Sequence, residues 1–203
     1  MSRGDGTAAD MGGSGTCWAP ARMPRVDAIW NHPLFQEKLR LVREAERDRE
    51  FCRHGLGHLL DVARIAWIRN LEEGSGLDRE EVYAAALLHD IGRAGQYALG
   101  IPHDEAGEQL AAEILGTVGE ESRFCELARR EIAAAVAGHR RGFQGAPGAS
   151  GAGAMPGAPA SPGPSPLADL IAWADKASRP CYACDARGRC YWPDAKKNLD
   201  VRV

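Results

Sequence analysis

The chain of 203 residues has no strong excess of charge of either sign: 25 Lys and Arg stand against 28 Asp and Glu, a net charge of −3. That near balance gives no overall attraction to nucleic acid or to an anionic membrane, so any recognition of phosphate has to be local. Long apolar runs are missing too. The longest, Ala84 to Leu88 and Ile132 to Ala137, are far too short to span a bilayer. Residues 1–16 hold no apolar stretch of the secretory kind, so a cytoplasmic protein is expected. In a reducing compartment the six cysteines are not expected to build a disulfide frame; clustered ones read as metal or redox groups. β-Alternation of useful length is absent, and so is any internal repeat.

What is present is a helical pattern interrupted by two low-complexity stretches. Hydrophobic residues make up 44% of the chain, enough for a core. The 24 glycines and 12 prolines cluster heavily, though not wholly, in residues 1–24, read as a disordered tail, and 142–166, read as a flexible surface loop. One domain over residues 25–180 is expected, followed by a Cys-rich tail at 181–203. Asn31-His32-Pro33 starts an amphipathic helix through Leu34, Leu39 and Val42 into a charged run ending at Glu50. A second helix runs from about His58 to the Gly74-Ser75-Gly76 break. Asp78 and Glu81 form a capping box that opens a helix to about Ile91, with Gly92 and Gly95 as its stop. Further helices are expected from Pro102-His103-Asp104, from Glu120 to His139 and from Leu167 to Ala177. The fold class is all-α, a helical bundle.

Several chemically capable residues sit at the ends of these helices. His58 opens one, His89 closes the next, His103 opens another, His139 closes the long one, and Asp175 lies near the end of the last. Imidazole and carboxylate suit Zn, Mn and Fe, while carboxylate and water suit Mg, and groups from several helix ends could meet at one mouth of a bundle. His89-Asp90 follows five apolar positions, where a charge is costly unless paired, and a divalent cation would pair it. The plainer alternatives are a satisfied core histidine at His89, a helix cap at His103 and a cation facing the helix dipole at His139.

The run His58-Leu59-Leu60-Asp61-Val62-Ala63-Arg64, then Leu87-Leu88-His89-Asp90-Ile91-Gly92-Arg93, then Ala174-Asp175-Lys176, resembles the HD superfamily of metal-dependent phosphohydrolases in order and spacing. The resemblance covers residues of about 50 to 180. It implies an HD-domain-like bundle in which His58, His89, Asp90 and Asp175 bind one divalent metal, with Asp90 and His89 central to catalysis. His103 and His139 resemble the extra ligands of the binuclear subgroup, which includes symmetrical diadenosine-tetraphosphate hydrolases; Asp90 would there bridge two ions. The ions implied are Mn, Fe, Mg, Co, Ni or Zn. Arg93, Arg140 and Lys176 are candidates to neutralise phosphate charge, or else solvated helix-end cations. His54 reads as a group on the substrate side or supporting the ligands.

Cys181-x2-Cys184-x5-Cys190 follows the last helix, and Cys52 is a candidate fourth sulfur because it precedes His58 by as many residues as Cys181 follows Asp175. A structural zinc is the reading these four suggest; a redox pair at Cys181 and Cys184, or ordinary buried thiols, are its rivals. Cys17 and Cys125 are expected to stand apart, Cys125 as helix packing. Tyr182, Tyr191 and Trp192 interleave the sulfurs, with Lys196-Lys197 beyond; nucleic acid is not expected as a partner. The expected function is cleavage of a phosphoester or phosphoanhydride of a nucleotide or other small phosphorylated molecule with metal-activated water. The alternatives are a non-catalytic metal-stabilised interaction module and an HD-type di-iron oxygenase. Oligomeric state is not legible.

Overall fold

A computed structural model describes residues 21–140 and 165–201. The expected tail at 1–24 and loop at 142–166 lie outside the described residues, apart from 21–24 and 165–166. Eight α-helices are described: α1 (Pro24–Trp30), α2 (Pro33–Ala45), α3 (Leu56–Glu73), α4 (Arg79–Leu88), α5 (Arg93–Leu99), α6 (His103–Thr117), α7 (Glu126–Gly138) and α8 (Pro166–Ala177). No strand occurs among the described residues, and the class is all-α. None of these helices is long and apolar enough to cross a membrane.

Helix α4 is the axis of the bundle. It packs against α1, α3, α7 and α8, and Val82 together with Ala84 through Leu88 is buried. Three consecutive alanines give it a thin girth, so helices approach from several sides at once. Around it lie Leu59, Val62 and Ala66 of α3, Ile132 and Val136 of α7, and Leu167 and Ile171 of α8. Removing a buried leucine such as Leu88 from this centre costs about 2–5 kcal/mol.

Local chemistry sets where the helices begin and end. Asp78 Oδ1 accepts the backbone N–H groups of Glu80 and Glu81 at 3.0 and 3.1 Å, which starts α4. Upstream, the buried Asn70 side chain binds both backbone groups of Leu77, closing the α3–α4 connection. Gly74 ends α3 at φ 63°, in the left-handed region that glycine favours. Ser165 Oγ accepts from Ala168 N at 3.2 Å and opens α8.

The structure corrects several expectations about the elements. Helix α1 was unforeseen; seven residues are too few to show a period, although Val26 and Ile29 bury one face. The cap of α2 is His32 rather than Asn31: His32 Nδ1 accepts from Leu34 N, while Asn31 Nδ2 donates to Asp27 O at the end of α1. The helix expected over 120–139 is a short 3-10 turn at Glu120–Ser122 followed by α7, because the chain extends at Arg123 to bury Phe124 under the Arg25 guanidinium. Cys125 is correspondingly exposed at the start of α7, not packed in the core. Helix α4 stops at Leu88, and the helix α5 follows where two glycines suggested only a break.

Candidate metal centre

His89 and Asp90 occupy the turn between α4 and α5, and Gly92 makes that turn possible. A Cβ on Gly92 would run into the carbonyl oxygen of His103 and the backbone of Gly107, so only glycine lets the turn sit on the first coils of α6. That contact brings the start of α6 to Asp90. The end of α7, the start of α3 and the last turn of α8 reach the same point.

The Asp90 carboxylate lies at the centre, 2% exposed, with different neighbours on each oxygen. Facing Oδ2 are His89 Nε2 at 3.3 Å, His58 Nε2 at 3.5 Å and His54 Nε2 at 4.0 Å. Facing Oδ1 are His103 Nε2 at 3.5 Å and His139 Nε2 at 3.7 Å. Asp175 Oδ1 lies 3.5 Å from His58 Nε2 and completes the outer side of the Oδ2 half. Two close ligand groups result, His58 with His89 and Asp90, and His103 with His139 and Asp90, each with its donor atoms within 4.8 Å of one another. Asp90 belongs to both.

Hydrogen bonds at the far side of each ring place its protons. His89 Nδ1 lies 2.7 Å from Ala86 O, and His139 Nδ1 lies 2.6 Å from Val136 O. A carbonyl only accepts, so both Nδ1 atoms carry hydrogen. His103 Nδ1 meets Gln96 Oε1 at 2.9 Å, and His54 Nδ1 meets Glu46 Oε1 at 2.6 Å. Ser178 Oγ donates to Asp175 O, leaving its lone pairs to accept from His58 Nδ1 at 3.4 Å. In the neutral rings every Nε2 is therefore a bare lone pair aimed at Asp90.

That arrangement is unbalanced without a cation. His103 Nε2 and His139 Nε2 face each other at 3.2 Å, acceptor to acceptor, and His58 Nε2 faces His89 Nε2 at the same distance. Both Asp90 oxygens are buried without a hydrogen-bond partner, and Arg93 Nε, 2.8 Å from Oδ1, is not aligned to donate. Burial alone would raise the Asp90 pKa, but His89, His58 and Arg93 outweigh it and hold the carboxyl well below its usual range. Burial pushes His103 and His139 down to about 4 and lowers His58 as well, so these rings are neutral near pH 7. Three neutral imidazoles, together with His89, whose pKa the adjoining Asp90 raises against its burial, surround an ionised, orphaned carboxylate, and this donor set fits a divalent metal.

Above the centre opens a cleft of about 400 Å³. Arg49, Arg93, Arg140, Lys176 and Arg179 line it against one rim carboxylate, Asp175. The sequence singled out Arg93, Arg140 and Lys176; Arg49 and Arg179 escaped notice because nothing in a charged run marks which side chain faces a cleft. Arg140 also pairs with Asp104 at 3.1 Å, and Lys176 Nζ donates to Ala172 O. Tyr191 and Trp192 of the Cys-rich tail form part of the wall.

Other supporting residues were also missed. Glu46 sat unmarked inside the charged run that ends at Glu50, yet it is 3% exposed and accepts from His54 N, His54 Nδ1 and Tyr97 Oη. Gln96 and Ser178, which orient His103 and His58, carried no signal in the sequence. His32 stays away from the centre, against Thr117.

Comparison with known proteins shows the family of the chain. The sequence model of the HD domain matches residues 55–179. An uncharacterized protein from Clostridium beijerinckii is 35% identical over 179 residues, covering 88% of this chain and 99% of that one. Ribonuclease Y from a Sulfurovum species is 32% identical over 78 residues, which take in 38% of this chain and 15% of that enzyme. A crystal structure of a predicted HD superfamily hydrolase from an uncultured Thermotogales bacterium is similar with a TM-score of 0.49 and 23% identity, covering 85% of this chain and 86% of that one. By its sequence match across the helices that carry the His/Asp centre, the chain belongs to the HD domain family.

Proposed function

We infer that the protein is a metal-dependent phosphohydrolase acting on a small phosphorylated molecule, with a binuclear centre bridged by Asp90. His58, His89 and Asp175 would hold one ion with Asp90 Oδ2, and His103 and His139 the other with Oδ1. A divalent cation held there supplies Lewis acidity and lowers the pKa of a coordinated water toward neutrality.

The observation that carries this reading is the charge of the cleft: five Arg and Lys side chains line it, directly above the orphaned carboxylate. Guanidinium and ammonium groups in that density suit phosphate oxygens, bidentate for arginine and as a point charge for lysine. Arg93 sits nearest the centre and would orient the phosphoryl group, while Arg140 and Lys176 receive its charge from the rim. Tyr191 and Trp192 offer flat faces for a base or another planar group. Support from relatives is coarser: two proteins that align over short stretches are named Ribonuclease Y, and each alignment takes in 15% of the named enzyme.

The test is a substrate panel of phosphomonoesters, phosphodiesters, nucleotides and dinucleoside polyphosphates, with protein loaded in turn with Mn, Fe, Co, Ni, Mg or Zn. Turnover of at least one member, abolished in Asp90→Ala, is expected. Complete inactivity of metal-loaded protein overturns the reading. Oxygen consumption by the iron-loaded form without phosphate release would favour a di-iron oxygenase instead.

A further inference from the structure

The Cys-rich tail is the motif that the His/Asp centre leaves unused. It leaves α8 after Ala177 and follows short 3-10 turns at Cys181–Ala183, Arg187–Arg189 and Asp194–Lys196. Ala186 is its buried apolar residue, so hydrophobic burial does little to hold its course. Polar and ring contacts tie it down instead. Asn198 Nδ2 donates to the carbonyls of Lys176, Ala177 and Arg179; Arg189 pairs with Glu50; the Phe51 and Tyr191 rings meet edge to face.

The result of this course is a gathering of sulfur. Cys52, in the α2–α3 connection, and Cys181, Cys184 and Cys190 of the tail line one cavity of about 190 Å³ together with Phe51 and Pro180. All four are free thiols.

Spacing separates the metal groups that four thiolates can hold. A single zinc at 2.3 Å from each sulfur draws the sulfurs to about 3.8 Å apart. The four cysteines form no such close group; the ligand sets within 4.8 Å among the described residues are those of the histidines and Asp90. Here the sulfurs border a void. In a 4Fe–4S cubane each thiolate binds a different iron, so the sulfurs stand wider and the iron and sulfide fill the space between. Arg187 and Lys197 also line the cavity, where the one lining carboxylate, Glu50, is paired with Arg189, and they would offset the net negative charge of a cluster bearing four thiolates.

We propose that Cys52, Cys181, Cys184 and Cys190 ligate a 4Fe–4S cluster that staples the tail to the α2–α3 connection. The staple borders the metal cleft: Cys52 and Cys190 line both cavities, and Tyr191 and Trp192 directly follow the last sulfur. The cluster thus fixes one wall of the cleft, as a structural group with no electron transfer required of it. It uses none of the residues assigned to the phosphohydrolase reading, so either can fail alone.

Acid-labile sulfide is the discriminating measurement, because the His/Asp centre takes up metal but no sulfide. Protein purified without oxygen, reconstituted with iron and sulfide and then gel-filtered, should carry about four labile sulfides per chain. A broad visible absorption, bleached by dithionite, should accompany them. Asp90→Ala keeps the sulfide, and Cys125→Ser, which removes an exposed thiol outside the set, keeps it too. Cys184→Ser loses most of it while far-ultraviolet circular dichroism reports whether its helices persist. Wild-type protein that remains colourless and free of sulfide overturns the proposal, whether or not Cys184→Ser folds. Zinc bound in place of sulfide overturns it, and so does equal loss of sulfide in Cys125→Ser and Cys184→Ser.

Discussion

The Oδ2 half of the centre and the Oδ1 half share one carboxylate but are built differently. The first draws His58, His89 and Asp175 from α3, the α4 end and α8, and it is the more open: the His58 and Asp175 side chains are 13% and 26% exposed. The second draws His103 and His139 from α6 and the α7 end, at 6% and 3% exposure. It has no carboxylate of its own, and Arg93 crowds the one oxygen it shares. Two carboxylates against one, with a cation close to the poorer half, predict unequal affinity. An ion on the Oδ2 side should bind more tightly and one on the Oδ1 side should exchange more readily.

Substitution at the shared group and at one unshared ligand breaks that comparison most directly. Asp90→Ala is expected to empty both halves, whereas His139→Ala should leave about one ion of two, held by the Oδ2 side. Elemental analysis after gel filtration gives the stoichiometry, and calorimetric titration gives the affinities. If His139→Ala loses all metal, the halves are not independent and the asymmetry is wrong. If Asp90→Ala keeps full occupancy, the carboxylate is no bridge.

Gly92→Ala probes the same difference through the backbone. The added Cβ must push the start of α6 away, and overpacking of this kind costs about 1–3 kcal/mol. His103 moves with α6, so affinity on the Oδ1 side should fall while the Oδ2 side is spared. Thermal unfolding of the metal-free protein measures the first effect and competitive metal titration the second. Unchanged melting, or equal weakening of both halves, would contradict the close approach at Gly92.

How much of this was legible in the sequence follows from the kind of signal each residue gives. His58, His89, Asp90, His103, His139 and Asp175 each had a plain structural alternative and stood out only as an ordered set of imidazoles and carboxylates at helix ends, and the structure brings all six together. The long, strongly patterned helices α3, α6 and α8 were readable from period and caps. Helix α1 and the α4–α5 turn were not, since one is too short for a period and the other depends on a contact with α6, remote in sequence. Glu46, Gln96 and Ser178 act by orienting another side chain, and such a role is set by three-dimensional neighbours alone. The Cys-rich tail showed its sulfurs plainly, but the space between them is a property of the fold.

Glu46 offers the smallest and most selective test. Its buried carboxylate acts through His54, which faces Oδ2 and not Oδ1. Burial would raise its pKa, but the two bonds from His54 and the one from Tyr97 outweigh that and lower it from 4.5 to about 2. A folded-state value below the unfolded one means stability that is fully present above pH 4.5 and is lost as pH falls from 4.5 toward 2. Replacing the charged acceptor by Glu46→Gln should cost about 1.5–3 kcal/mol near neutral pH, the scale of a hydrogen bond to a charged group. Urea unfolding of metal-free wild type and variant should then show their stability difference shrinking below pH 4.5. Metal affinity on the Oδ2 side should drop modestly, because His54 faces the Asp90 oxygen of that half without being one of its proposed ligands. His54 approaches Asp90 on the Oδ2 side, so the Oδ1 side should bind as before. A difference that grows with acidity, or equal loss on both sides, would show that Glu46 supports the bundle as a whole rather than one half of its centre.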